Sequence, residues 1–197
     1  MQSQTNSVVS SESELLILVD RDDRETGSLS KAACHDGDGI LHRAFSVFLF
    51  NAEGELLLQQ RGPGKRLWPL FWTNTCCSHP RQGESMELAT ERRLQQELGT
   101  AAALEFVYKF SYQARFDELG SENELCSVYL GRLERQAAAN ETEIAALRFV
   151  SAATLEHEIG THAERFTPWF KMEWQRLNEE FADRLEVYTG PLSSHKL

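Results

Sequence analysis

The sequence predicts an α+β fold built around a mixed sheet, and three observations lead there. Apolar runs follow one another as consecutive strands instead of alternating regularly with helices, which disfavours a doubly wound sheet. Residues 84–98 lack Gly and Pro and are rich in Glu, Arg, Gln and Leu, a helix-favouring composition. A second amphipathic segment follows Thr167 and Pro168 near the end of the chain.

In chain order, residues 1–14 are rich in Ser, Gln and Asn and predict a disordered segment, ahead of a single domain over 15–197. Leu15 to Val19 reads as a first strand running into the acidic turn Asp20 to Glu25. Ala44 to Phe50 and Glu55 to Gln60 are apolar runs separated by Asn51-Ala52-Glu53-Gly54, a hairpin signal, and Gly62-Pro63-Gly64 then breaks the chain. The helix over 84–98 closes on Gly99. Leu104 to Phe116 and Leu125 to Leu133 read as strands joined by a polar loop, 117–124, and Leu147 to Val150 as a shorter one. In the last helix Thr167 is placed as N-cap, Pro168 as first helical residue, and Phe170, Trp174, Leu177, Phe181 and Leu185 as one apolar stripe.

A chain of 197 residues with 41% hydrophobic and 25% charged residues fits one globular domain with a substantial core. No apolar run reaches the roughly 18–20 residues of a membrane span, and no signal-peptide pattern opens the chain. The final His195-Lys196-Leu197 loosely resemble a peroxisomal address, but such endings are common by chance and a cytoplasmic location is the expectation. A net charge of −10 argues against general nucleic-acid binding. An anionic small molecule is still served by local cations, Lys31 and the cluster Arg61, Lys65, Arg66. Cysteines at 34, 76, 77 and 126 include no C-x-x-C pair, and adjacent Cys76-Cys77 is a poor disulfide, so reduced thiols are expected. No dimer signature is legible, and a monomer is the default.

The chemistry-bearing stretch begins at Asn74-Thr75-Cys76-Cys77-Ser78-His79-Pro80 and runs into Glu84 and Arg92-Arg93-Leu94-Gln95-Gln96-Glu97-Leu98-Gly99. It resembles a broken Nudix box, G-x5-E-x7-R-E-U-x-E-E-x-G, in which U is a bulky aliphatic residue. Glu84, Arg92, Leu94, Glu97 and Gly99 remain, whereas Ser78 stands for the first Gly and Arg93 and Gln96 for two Glu. A hydrolase needs clustered carboxylates to hold several Mg²⁺ ions against a pyrophosphate. Here one carboxylate is kept for one hard metal, and a Cys and a His stand upstream.

His35 and His42 flank the turn Asp36-Gly37-Asp38-Gly39, and His79 shares a face with Cys77 if the segment is extended. Glu122 and Glu124 share a face in the same way. Three His and two Glu make a ligand set for Zn²⁺, Mn²⁺ or another divalent transition ion. Each signal alone has an ordinary explanation. A lone His is usually a surface or satisfied residue, the E-x-E a solvated turn, and Cys77 a small buried hydrophobe. Glu97 reads as a solvated charge, Trp169 as core, and Tyr112 as packed with its hydroxyl at the surface.

Taken in order, His35, His42, Arg61, Lys65, Trp68-Pro69, Trp72-Thr73, the 74–80 segment, Glu97, Tyr112, Glu122-Asn123-Glu124-Leu125-Cys126 and Trp169 resemble the type I isopentenyl diphosphate isomerases over roughly residues 15–185. That resemblance implies a Nudix-type mixed β-sheet sandwiched between helices, and flavin-free interconversion of isopentenyl and dimethylallyl diphosphate. It implies that His35, His42, His79, Glu122 and Glu124 hold a Zn²⁺ or Mn²⁺ ion, and that Glu97 holds Mg²⁺ together with substrate oxygens. Lys31, Arg61, Lys65 and Arg93 are the implied diphosphate ligands, with the backbone near Ser78. Cys77 and Glu124 are the implied proton-transfer residues, assisted by Tyr112. Trp169 is the natural partner for a cation, because moving a double bond through an unactivated alkene demands an acid, a base and a dry pocket that tolerates positive charge. The alternatives are a Nudix-type pyrophosphohydrolase, which the replaced carboxylates at 93 and 96 disfavour, and a structural zinc module, which two ligand carboxylates fit poorly.

Overall fold

The computed structural model describes residues 8–190, so the 195–197 ending lies outside the described residues. Its centre is β3, His42–Phe50, in which every residue except Arg43 is buried. Such a strand must be covered on both faces, and its alternation sets the layers. Phe45, Val47 and Leu49 join Cys76, Ala89, Leu94 and Leu98 on one side. Ala44, Phe48 and Phe50 join Trp68, Phe166, Phe170, Trp174, Leu177 and Leu185 on the other.

Around β3, a nine-stranded sheet forms. The hairpin β1, Leu15–Val19, and β2, Glu25–Ser30, docks on one edge through Leu18 opposite His42. β4, Leu56–Arg61, returns antiparallel from β3 and carries β5, Trp72–Thr73, and β9, Ile144–Val150. The short β6, Cys76–Ser78, pairs antiparallel with β3, setting Cys77 opposite Ser46. β7, Leu104–Phe116, and β8, Gly120–Arg132, form a long antiparallel pair, and β8 runs parallel to β3 with Glu124 opposite His42.

Helices cover both faces. α1, Lys31–His35, is one turn capped by Ser30. α2, Met86–Leu98, starts on the Ser85 side chain and stops at Gly99, whose φ of 59° is the left-handed cap expected from the sequence. α3, Ala152–Thr161, is followed by a 3-10 turn, Ala163–Arg165. The final amphipathic stretch divides into α4, Pro168–Glu180, and α5, Ala182–Thr189.

Some readings of the sequence shift. β2 and α1 occupy a stretch read as turn or left unassigned, and β8 begins at Gly120, inside the segment read as a loop. Thr167 makes no capping hydrogen bond; its hydroxyl donates to Thr73 Oγ1 at 2.9 Å and pins α4 to β5. Residues 8–14, read from the sequence as part of one segment with 1–7, make specific contacts with the domain. Lys31 N–H donates to the Glu14 carbonyl and Ala32 N–H to the Glu12 carbonyl. The Arg93 guanidinium donates to the Val9 carbonyl and the Ser10 hydroxyl.

Candidate active site

Register brings the His and Glu side chains together. His42 opens β3 beside Glu124 of β8, His79 follows β6, and His35 ends α1. One donor atom from each of His35, His42, His79, Glu122 and Glu124 lies within 4.8 Å of all the others. His42 Nε2 faces His79 Nε2 at 3.2 Å, and His79 Nε2 lies 3.0 Å from Glu124 Oε1. His42 Nδ1 donates to the Ile40 carbonyl at 2.7 Å, which leaves the Nε2 lone pair turned inward. His35 Nε2 and Glu122 Oε2 are buried and lack any properly directed hydrogen bond, although they stand 2.8 Å apart. Buried polar atoms without partners are costly, and a cation at their centre satisfies all of them. The residues fit a divalent metal.

Electrostatics agree. Burial favours a neutral Glu124, but the His42 and His79 imidazoles outweigh it and hold the carboxyl well below its usual range. Burial drives His79 down to about 4, so this ring is neutral at physiological pH and its lone pair could serve a metal ion. Tyr112 sets its hydroxyl on Glu124 Oε2 at 2.6 Å. Burial, then the Glu124 and Glu122 charges, pushes the phenol well above its usual range. Its hydroxyl is therefore buried rather than at the surface.

Cys77 lies on the other flank of the same pocket, which His79, Tyr112, Glu124 and Trp169 also line. Its thiol donates to Asn74 Oδ1 at 2.7 Å, and the Trp169 indole N–H donates to Sγ at 3.3 Å. Burial and the nearby Glu173 push the thiol up to about 12, so it is held protonated. The Trp169 ring stacks on Tyr112 with centroids 6.2 Å apart and so spans the distance from the thiol side to the carboxylate side. Asn74 belongs to the motif read in the sequence, but its part in orienting the thiol was not legible there.

Cations form the remaining wall, together with Ser78. Arg61 lies 5.1 Å over the Trp169 ring and donates to the Leu67 and Trp68 carbonyls at 2.9 and 3.0 Å, fastening the loop after β4. Lys65 ion-pairs with the buried Glu143, Arg93 with Glu97, and Lys31 with Glu12 at 3.2 Å. Glu97 is only 2% exposed, which excludes the solvated-charge reading. Its second oxygen accepts from the Cys76 thiol at 3.7 Å. Sequence reasoning missed Glu143, which sits in an acidic run with nothing to distinguish it from its neighbours, and the Val9–Glu14 contacts, hidden in low-complexity composition.

Comparison with known proteins identifies the family and the fold. Residues 40–170 match the NUDIX domain family. A Photorhabdus laumondii protein named isopentenyl-diphosphate Delta-isomerase 1 is 37% identical, covering 87% of this chain and 99% of its own. An Escherichia coli isopentenyl-diphosphate Delta-isomerase is 39% identical, covering 90% and 98%. Among solved structures, a Deinococcus radiodurans protein superposes with a TM-score of 0.64 at 20% identity, covering 89% of this chain and 99% of its own. A MutT protein from Methanosarcina mazei superposes at 0.58 and 17% identity, covering 72% and 95%. At those identities the structural likeness speaks for the fold, which is the expected Nudix-type α+β sandwich, and the sequence relatives place the chain more finely. The chain belongs to the NUDIX domain family and, within it, to the isopentenyl-diphosphate Delta-isomerases.

Proposed function

We propose that the protein interconverts isopentenyl and dimethylallyl diphosphate by adding a proton at one carbon and removing one from another. The observation that carries this is one buried pocket with a protonated thiol, Cys77, on one flank and an ionised carboxylate, Glu124, on the other. An acid and a base with proton affinities pushed apart are what an alkene shift requires.

Cys77 is the proton site on the Asn74 side, and Trp169 and Asn74 fix its direction. Glu124 is the second site, with Tyr112 oriented on its free oxygen. The Trp169 ring faces the developing positive charge, a contact worth about 0.5–2 kcal/mol when desolvated. Lys31, Arg61, Lys65, Arg93 and the Ser78 backbone hold the diphosphate, and neutralising it keeps it from leaving. His35, His42, His79, Glu122 and Glu124 hold a Zn²⁺ or Mn²⁺ ion, and Glu97 with substrate oxygens holds Mg²⁺. The metals supply fixed positive charge that orders Glu124 and screens the diphosphate. No flavin takes part. The enzyme acts as a cytoplasmic monomer on a small allylic or homoallylic diphosphate, without nucleic-acid or membrane partners.

The test is substitution in metal-replete protein. Cys77→Ala and Glu124→Gln each lower isomerisation by roughly 10²–10⁴-fold or more, while inorganic pyrophosphate still binds. Near-wild-type turnover in either variant removes that residue from the reaction.

A further inference from the structure

Behind Cys77 lies a carboxyl that the reaction as written does not use. Glu173 of α4 is fully buried. Among the described residues no Lys, Arg or His forms an ion pair with it, and its Oε2 has no hydrogen-bond partner. Its Oε1 accepts from the Cys126 thiol at 3.5 Å, and the Ser46 hydroxyl also acts on the carboxyl. A lone carboxylate in such surroundings is among the costliest groups a core can hold, so the group belongs there as a neutral acid or not at all. Burial pushes it up to about 8, against a smaller opposing effect from the Ser46 hydroxyl and the Cys126 thiol.

Its neighbours connect it to the proton-transfer thiol. Ser46 faces Cys77 across the β3–β6 pair, and its hydroxyl donates to Cys77 Sγ at 3.7 Å. The same hydroxyl lies 3.5 Å from the Cys126 thiol that sits on Glu173. Glu173, Cys126, Ser46 and Cys77 thus form one buried polar column running from α4 through β8 and β3 to the pocket. Once Cys77 has given its proton to an alkene, the sulfur carries negative charge in a dry site. Only donors aimed at it from fixed positions can hold that charge, and the structure aims Ser46 and Trp169 there. A carboxylate at the far end of the column would repel the thiolate and draw the one Cys126 S–H to itself, whereas a neutral acid that donates to the Cys126 sulfur leaves that S–H for Ser46 Oγ and the Ser46 hydroxyl for Cys77 Sγ.

We infer that Glu173 is a positioning residue of the isomerase: as a neutral carboxylic acid it acts through Ser46 and Cys126 to hold the column in register and stabilise charge on the Cys77 sulfur. This rests on the reading of Cys77 as a proton-transfer residue. The chemistry asked of position 173 is a neutral hydrogen-bonding group, not a charge, so Gln meets it and Leu does not.

The experiment compares Glu173→Gln and Glu173→Leu with wild type, all metal-replete, by steady-state kinetics on isopentenyl diphosphate. It is paired with infrared difference spectra that detect a protonated carboxyl at pH 7. Three results are expected together: a protonated-carboxyl band in wild type that both variants lose; kcat in Glu173→Gln within about threefold of wild type; and kcat in Glu173→Leu down at least about tenfold with KM little changed. Wild-type kcat in Glu173→Leu, or no band in wild type, overturns the inference. Equal damage in Gln and Leu also overturns it, because the residue then serves as a proton carrier or a charge. If Glu173→Leu fails to fold, Ser46→Ala takes its place: kcat down at least about tenfold with KM little changed is expected, and wild-type kcat overturns the inference. An active wild type with an unaffected Glu173→Leu variant overturns only the role of Glu173. A wild type that carries the band but does not isomerise contradicts the isomerase reading and takes this role with it.

Discussion

At the scale of single residues, the proposed reaction rests on proton affinities separated within one pocket. Cys77 is held as a thiol by burial and Glu124 as a carboxylate by His42 and His79. Glu97 is one of two carboxylates, with Glu84, retained from the broken signature. Arg93, standing where a hydrolase has a Glu, ion-pairs with it four residues on along α2. We predict that Glu97→Gln raises the Mg²⁺ concentration needed for half-maximal rate by about tenfold or more, while transition-metal content is unchanged. An unaltered Mg²⁺ requirement, measured by titration at fixed substrate, contradicts the assignment. Most of these residues could be read from the sequence because motif spacing and order survive in the chain. Glu143, Ser46 and Glu173 could not, because what distinguishes them is a partner brought close by strand register or helix packing, and no local pattern encodes that.

At the scale of elements, positions were legible where burial imposed a period. The runs at 15–19, 44–50 and 55–60 correspond to β1, β3 and β4. β2 was not, because Glu25–Ser30 is polar and half exposed along an edge. The start of β8 was hidden because the carboxylates of Glu122 and Glu124 made a buried strand look like a solvated loop. The last helix breaks at Phe181 and restarts as α5, while the Phe181 ring stays with the stripe on the core and stacks flat on Tyr108, 4.8 Å away. Gly120 shows how tightly α1 rides on β8: its φ is +143°, and a Cβ there would meet the His35 carbonyl oxygen at 2.1 Å. Gly120→Ala should cost about 2–4 kcal/mol and weaken retention of the transition metal, which denaturant titration and metal analysis check. α4 carries a pH signature through Glu173. Its folded pKa of about 8 lies above the unfolded value near 4.5, so its contribution to stability is fully present below pH 4.5 and lost as pH rises towards 8. The stability of Glu173→Gln relative to wild type should therefore rise between pH 5 and pH 8.5, by up to about 4 kcal/mol. A difference that stays constant with pH contradicts a neutral buried acid.

At the scale of the whole molecule, three apolar clusters pack on the sheet, and the proposed metal ligands gather at one end of β3 and β8. Removing metal with a chelator is therefore expected to abolish turnover while far-UV circular dichroism keeps its native shape; reversible loss of fold instead favours a structural metal. No helix among the described residues is long and apolar enough to cross a membrane. The central claim is that a diphosphate-gripping Nudix fold has been turned from hydrolysis to alkene isomerisation by one thiol and one metal-ordered carboxylate. The most direct measurement follows isopentenyl diphosphate in D₂O with Mg²⁺ and no flavin, comparing wild type with Cys77→Ala. Dimethylallyl diphosphate carrying solvent deuterium, formed by wild type and lost in the variant, is the predicted result. Release of phosphate or pyrophosphate, or no reaction from metal-replete protein, contradicts it.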